Sequence, residues 1–521
     1  MNFGFIIDNR KCIGCHACTV ACKAEHEVPV GVNRTWVKYI EKGEFPDTRR
    51  LFSVMRCNHC ADAPCVEICP VTALFTRKDG IVDFDTRRCI GCKACTQACP
   101  YDALYMHPDD HTSAKCNYCT HRVDIGLEPA CVNVCPEHAI ISGDMDNPET
   151  EISRLLARET VSVRKPEKGT NPKLFYIDGD KASLDPTEAN PGTDYMWSSQ
   201  SSGVGHHVGR TVSPSAFVQI TTRNNDRGRT DSPSYGSRVY DAPDKGVLWS
   251  WEVSAYVWTK AIAAGAFMVP ALFGLIFPRG STEVMRIGAI VALVFLALTG
   301  ALLVKDLGRP ERFLYVLLRP QWNSWLTRGG YIITIYGALL TAWLAASNLG
   351  FASALTVIEV LGVVFALLAA VYTAFLFAQA KGRDFWQSPM LGAHMIIHSV
   401  MAGAAVFLIA SVFEIGGGPR YWTLLFLTVW AMIIINLITL AIELTMTHAT
   451  DDAHAVAKMI TNGQFSREFW FGVILIGNAL PLFLLYLENP FALALAGVLM
   501  LVGIYIGERI WVRAPQLVPL S

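Results

Sequence analysis

All sixteen cysteines of this 521-residue chain fall between Cys12 and Cys135. They sort into four groups of four: Cys12, Cys15, Cys18 and Cys22; Cys57, Cys60, Cys65 and Cys69; Cys89, Cys92, Cys95 and Cys99; Cys116, Cys119, Cys131 and Cys135. The first and third groups lie in near copies of one phrase, CIGCHACTVAC and CIGCKACTQAC, with the spacing C-x2-C-x2-C-x3-C. That spacing lets three thiolates wrap one corner of a [4Fe–4S] cubane while the x3 step carries the fourth to the other cluster of a pair. The second group stretches one gap to x4, the fourth carries an x11 insertion, and all but the first end in Cys-Pro. Structural zinc closes with two C-x2-C pairs at longer separation and does not demand the x2-x2-x3 run. Disulfides suit a small secreted scaffold, and the residues before Cys12 do not read as a secretory leader. Four cubane clusters are the expectation.

The rest of the chain has a different composition. Residues from about 142 to 246 lack cysteine and are rich in Ser, Gly, Asn, Thr and Pro, too polar to build a core of their own. From Trp249 the sequence turns apolar, so the whole-chain net charge of −1 averages unlike parts. Eight runs are long enough to cross a bilayer, which takes about 20 helical residues: 252–277, 284–304, 329–347, 353–380, 391–413, 422–447, 468–487 and 490–512. Trp249, Trp251, Trp322, Trp325, Trp386, Trp422, Trp470 and Trp511 fall near the proposed ends, as interfacial aromatics do. Eight spans put the cysteine-rich domain and the C-terminus on one side. Loops on that side hold Lys305, Arg309, Arg312, Arg319, Arg328, Lys381, Arg383, Lys458, Arg467 and Arg513, against Arg279, Arg286 and Arg420 opposite. The excess of basic residues predicts a cytoplasmic cysteine-rich domain and a multi-pass protein of the inner (plasma) membrane.

Ionisable groups are costly inside a bilayer and point to function when they recur. Lys260 lies about 12 Å into the first span at 1.5 Å rise per residue. Asp306 and Arg309 follow the second span, Tyr372 lies on the fourth, and Glu443 nears the end of the sixth. His394 and His398 are four apart on the fifth, hence on one helix face. Each has a plainer role to weigh: Lys260 could snorkel to the interface, and Asp306, Arg309 and Arg312 could form an interfacial salt-bridge network. Glu359, Asn436 and Asn478 begin a proton path or simply pack as polar groups. No Gly-rich fingerprint follows a predicted strand and opens a helix, so a dinucleotide cofactor has no support. Nothing points to nucleic acid.

The four cysteine groups resemble the four-cluster electron-transfer subunit of the complex iron–sulfur molybdoenzymes. The apolar half, with DLGRPERF after its second span and RPQWNSWLTRG before its third, resembles the NrfD-like polysulfide reductase membrane subunit. The resemblance implies a natural fusion. Its fold is an α+β double ferredoxin-like iron–sulfur domain followed by an all-α eight-helix transmembrane bundle. The expected boundaries are 1–150 for the cluster domain, 151–246 for a polar linker or partner-wrapping arm, and 247–521 for the quinone-reactive membrane domain. Following the family pattern, Cys12, Cys15, Cys18 and Cys135 hold one [4Fe–4S] cluster and Cys116, Cys119, Cys131 and Cys22 its neighbour. Cys57, Cys60, Cys65 and Cys99 hold the third, and Cys89, Cys92, Cys95 and Cys69 the fourth, nearest the membrane.

Such a wire needs an acceptor or donor at each end. At the membrane end a quinone (menaquinone or ubiquinone) needs hydrogen-bond donors and proton relays, which Lys260, Asp306, Arg309, Tyr372, His394, His398 and Glu443 supply. Bis-His haem ligation would need histidines on separate helices, and the family is haem-free, so no haem is expected. At the other end the resemblance implies a separate catalytic subunit with a molybdenum or tungsten bis-pterin. The alternative is an iron–sulfur module of a larger respiratory assembly, like alternative complex III or serving a hydrogenase or disulfide reductase, with redox coupled to proton movement. Substrate, direction of electron flow and further oligomerisation stay open.

Overall fold

A computed structural model describes residues 1–43, 46–190, 236–242, 245–276, 282–413, 418–487 and 489–521. The chain divides into two compact units. One comprises Met1–Leu248 with Gln379–Arg383 and Gln516–Ser521; the other comprises Trp249–Ala378 with Asp384–Pro515.

In the first unit each cysteine run leads into a short helix: Ala17–Glu25, Pro64–Glu67, Ala94–Ala98 and Ala130–Asn133. Two small hairpins, Leu74–Thr76 with Val82–Phe84 and Leu104–Met106 with Ser113–Lys115, follow the second and third groups. Strand Phe3–Asp8 lies inside a four-stranded sheet, antiparallel to Ile140–Asp144 and parallel to Leu174–Ile177. The long hairpin Thr35–Lys42 with Arg49–Arg56 is joined by Gly236–Tyr240 and then Ala189–Asn190 in a second sheet.

Residues 151–190 therefore do not form the expected linker or arm. The four-residue apolar run Leu174–Ile177 sits in a polar neighbourhood, yet its strand buries both faces. Leu174 and Tyr176 pack with Phe5, Ile7 and Trp36, while Ile177 packs with Ile6, Ile141 and Ile152. The helix Glu151–Arg158, capped by the Thr150 side chain, covers that second face. A short buried strand needs no alternation of polar and apolar residues, which is why average composition concealed it. Gly236–Tyr240 of the expected arm is likewise a strand of the second sheet, and the arm's residues 191–235 and 243–244 lie outside the described residues, as do Arg279 and the breaks at 277–281, 414–417 and Glu488.

Among the described residues the second unit holds eight helices long and apolar enough to span a membrane. They are Trp251–Gly274, Thr282–Lys305, Trp325–Leu349, Ser353–Gln379, Met390–Phe413, Pro419–Thr445, Glu468–Leu485 and Pro490–Leu517, hereafter spans one to eight. Span three starts four residues before the expected 329. Spans one and five are the most enclosed, with 78% and 61% of their apolar stretch buried against 22–39% elsewhere, so they form the centre of the bundle. They approach backbone to backbone: a methyl group at Gly265 would overlap the Ser399 carbonyl and the Gly403 nitrogen. Small residues permit such close helix contacts in lipid, where apolar burial alone does not draw helices together. Span seven winds as a π-helix over Glu468–Ala479, with Gly477 against Gly503 of span eight. Trp251, Trp322 and Trp470 are about half exposed, as interfacial residues should be, but Trp249, Trp386 and Trp511 are core residues. Trp386 Nε1 donates to the Trp511 carbonyl at 2.8 Å, which explains how an indole can be buried there.

Candidate functional site

The two copies of the cysteine phrase fold alike. Gly14 and Gly91 both take φ +71°, and His16 and Lys93 follow at +60° and +61°. At Gly14 the need for glycine is doubled, because the Phe52 ring occupies the space a Cβ would fill. A second local device closes the last three runs. Cys69, Cys99 and Cys135 each begin Cys-Pro-x-x-Ala, and the residue before the alanine is left-handed: Thr72 at +53°, Asp102 at +55°, His138 at +48°. The turn aims an N–H at the sulfur, so Ala73 donates to Cys69 Sγ and Ala139 to Cys135 Sγ, both at 3.2 Å. Ala103 does the same for Cys99. The repeated Cys-Pro-x-x-Ala is visible in the sequence; only the fold reveals it as a donor to sulfur.

The sulfurs surround compact spaces. One is lined by Cys12, Cys15, Cys18 and Cys135. Another is lined by Cys69, Cys89, Cys92 and Cys95, and a third by Cys57, Cys60, Cys65 and Cys99. Cys22 lies in the electrostatic company of Cys116, Cys119 and Cys131. Thus the fourth cysteine of each group sits with three from another. None of the sixteen is in a disulfide. Burial pushes Cys18 and Cys60 up to about 12 and Cys99 up to about 11. Thiols so held give up their protons only to a strong local positive charge, which a metal centre provides. Four soft donors round each space, with N–H groups directed at sulfur, fit an iron–sulfur cluster.

In the membrane unit the polar residues fall into two neighbourhoods joined by a group not anticipated. Lys260 does not snorkel: it is 1% exposed, its Nζ donates to the Ala370 carbonyl at 3.1 Å and to Thr373 Oγ1 at 2.5 Å, and it lies 4.5 Å from the Tyr372 ring centre. Tyr372 reaches that position because its ring packs on Gly329, where any side chain would collide. Asp306 lies within electrostatic reach of Tyr256, itself beside Tyr372. Arg309 makes an ion pair with Glu311 of its own loop at 3.5 Å.

The second neighbourhood is histidine-rich. His394 and His398 face each other with ring centres 4.0 Å apart, and Trp511 stacks on His394 at 5.1 Å. His398 Nδ1 is 2.7 Å from Glu508 Oε1, and His394 Nδ1 is 3.9 Å from Glu443 Oε2. His394, His398, Glu443 and Glu508 are all 4% exposed or less. Neither ring nitrogen of His394 makes a hydrogen bond among the described residues, while the Glu443 carboxyl lies beside the side chains of Trp511 and Ser388. Glu508 also lies within electrostatic reach of Lys260, so it links the two neighbourhoods. Buried groups so arranged can pass a proton or turn a polar head group by hydrogen bonds. Glu359 shares no hydrogen bond with Asn436 or Asn478 among the described residues, although the two asparagines meet each other. Trp343 Nε1 donates to Glu359 at 3.0 Å, while Asn436 donates to Asn478 at 3.1 Å, as polar packing groups do.

Residues 242–514 match the family described as polysulphide reductase, NrfD. Residues 11–74 and 48–145 each match a 4Fe-4S dicluster domain. The N-terminal part is 43% identical over 188 residues to a subunit of the tetrathionate reductase of Salmonella typhimurium, covering 35% of this chain and 75% of that one. It is 34% identical over 227 residues to the iron-sulfur subunit of the arsenate respiratory reductase of a Shewanella species, covering 34% and 96%. It is also 38% identical over 209 residues to an iron-sulfur subunit of a putative dimethyl sulfoxide reductase of Halobacterium salinarum, covering 34% and 80%.

Proposed function

The protein belongs to the polysulphide reductase NrfD family through its membrane half, which follows a 4Fe-4S dicluster domain in the same polypeptide, and from that premise we propose that it is the quinone-reactive electron-transfer subunit of a multi-subunit oxidoreductase. It is a multi-pass membrane protein with an electron-transferring iron–sulfur domain. Beyond that, the four cysteine sets hold four [4Fe–4S] clusters, which supply one-electron carriers when bound. The quinone occupies the space among Lys260, Tyr372, His394, His398 and Asp306. Lys260 and Tyr372 orient one carbonyl oxygen by donating to it. His398, held by Glu508, delivers and recovers a proton at the other; His394 and Glu443 carry the proton onward, and Arg309 steadies the loop at the entrance. The observation that carries this assignment is the buried contact of 2.7 Å between His398 and Glu508 beside His394, whose ring nitrogens have no hydrogen-bond partner among the described residues. Such groups are retained in a membrane bundle at considerable cost unless they handle charge.

The relatives are named as subunits of reductases. On our reading a separate subunit with a molybdenum or tungsten bis-pterin converts the substrate. The relatives' names differ in substrate and do not choose one. Purification of the native complex tests the assignment: about sixteen iron atoms per chain, as four cubanes require, with a molybdenum- or tungsten-containing partner and quinol-driven cluster reduction. Stoichiometric zinc, or reduction that ignores added quinol, overturns it.

A further inference from the structure

A second pair of repeats lies beside the cysteines: MRCNHC at 55–60 and AKCNYC at 114–119. They also fold alike, with His59 at φ +42° and Tyr118 at +63° and their rings edge to face at 5.4 Å. In each repeat a cation precedes the first cysteine, and in each it is fully buried, Arg56 and Lys115 both at 0% exposure. Each cation serves the other repeat. Arg56 Nη1 donates to Cys131 Sγ at 3.1 Å, and its charge also acts on Cys116 and Cys18. Lys115 acts on Cys57, and its Nζ donates to the carbonyls of Val82 and Cys116. Among the described residues neither cation forms an ion pair with a carboxylate. The Arg56 guanidinium lies over the Phe5 ring at 4.5 Å, with Nε and Nη2 making no hydrogen bond among the described residues.

A buried cation without a carboxylate demands some other anion. The anions at hand are the sulfurs and whatever cluster they hold, which carries net negative charge that grows on reduction. Taking the cluster assignment above as its basis, we propose that Arg56 and Lys115 are the shared counter-charge of the two central clusters, the one at Cys116 and Cys131 and the one at Cys57. They are positioning residues for electron transfer. They raise the reduction potential of both clusters and keep the two close, because each cation flanks one cluster through its backbone and touches the other through its side chain. When one electron leaves one cluster and arrives at the other, the counter-charge is already in place at both ends and nothing else must move.

Arg56→Met, Lys115→Met and Arg56→Lys in the full chain with its partners test this, with iron content and cluster midpoint potentials from EPR-monitored redox titration as readouts. Expected are full iron in Arg56→Lys, lower midpoints for both central clusters in Arg56→Met and Lys115→Met, smaller shifts at the outer two, and recovery toward wild type in Arg56→Lys. Full iron with unmoved midpoints overturns the proposal, as does loss of iron from Arg56→Lys and Lys115→Met alike, since the cations would then serve folding alone. A wild-type protein without iron overturns the cluster assignment itself, a failure recognisable before any variant is made.

Discussion

His398 and Glu508 share a hydrogen bond of 2.7 Å inside a span, so altering either leaves the other unpaired in a medium where that is costly. Glu508→Gln keeps the shape and a hydrogen bond but removes the proton acceptor. It is expected to slow quinone turnover by on the order of 10²-fold, the usual worth of a positioned acid or base, while iron content and dithionite reduction of the clusters stay intact. His398→Leu should do the same; quinol oxidation in membranes measures both, and wild-type rates in the two would move the quinone site elsewhere. Glu508 is hidden in the run GERIWVR, where neighbouring Arg509 and Arg513 make it look like an interfacial charge. Its periodicity tells otherwise, since Met500, Ile504, Glu508 and Trp511 fall on one buried face. The cysteine runs stand out in the sequence because an iron–sulfur cluster constrains the spacing of its ligands along the chain, whereas a proton site would fix only distances between helices.

At the scale of elements, the eight spans are readable because the bilayer sets their length, and their ends shift by only a few residues. Their contacts are not readable: nothing in the sequence pairs Gly265 with Gly403 or makes span seven a π-helix. The Gly265–Gly403 contact brings Lys260 of span one and His398 of span five to one level of the bundle. Gly403→Ala inserts a methyl group into backbone atoms of span one, and overpacking of this kind costs about 1–3 kcal/mol. A lower midpoint of thermal unfolding in detergent is expected, with weakened quinone turnover and clusters unaffected. An unchanged melting curve would show that the two spans yield easily. The strand Leu174–Ile177 escapes a sequence reading for a different reason, since four apolar residues are too few to outweigh a polar surrounding when composition is averaged.

At the scale of the whole molecule, an even number of spans returns the polypeptide to the side from which it started, and the basic loops favour the cytoplasm for that side. A reporter fused after Ser521 is expected to behave as cytoplasmic; an active periplasmic reporter would reverse the topology and place the clusters outside. The order in which the sheet is laid down has its own consequence for synthesis. Phe3–Asp8 leaves the ribosome first, yet its parallel neighbour Leu174–Ile177 follows about 170 residues later, on the order of ten to thirty seconds at ordinary elongation rates. Through that interval the strand carries an open edge, and on the proposed cluster assignment Cys12, Cys15 and Cys18 wait for Cys135. On the same assignment the nested order of the cysteine groups would let the inner half, complete at Cys99, mature while the outer half is still being made. Trp251 emerges 116 residues after Cys135, so metal loading has a window of its own before the first span calls the nascent protein to the membrane.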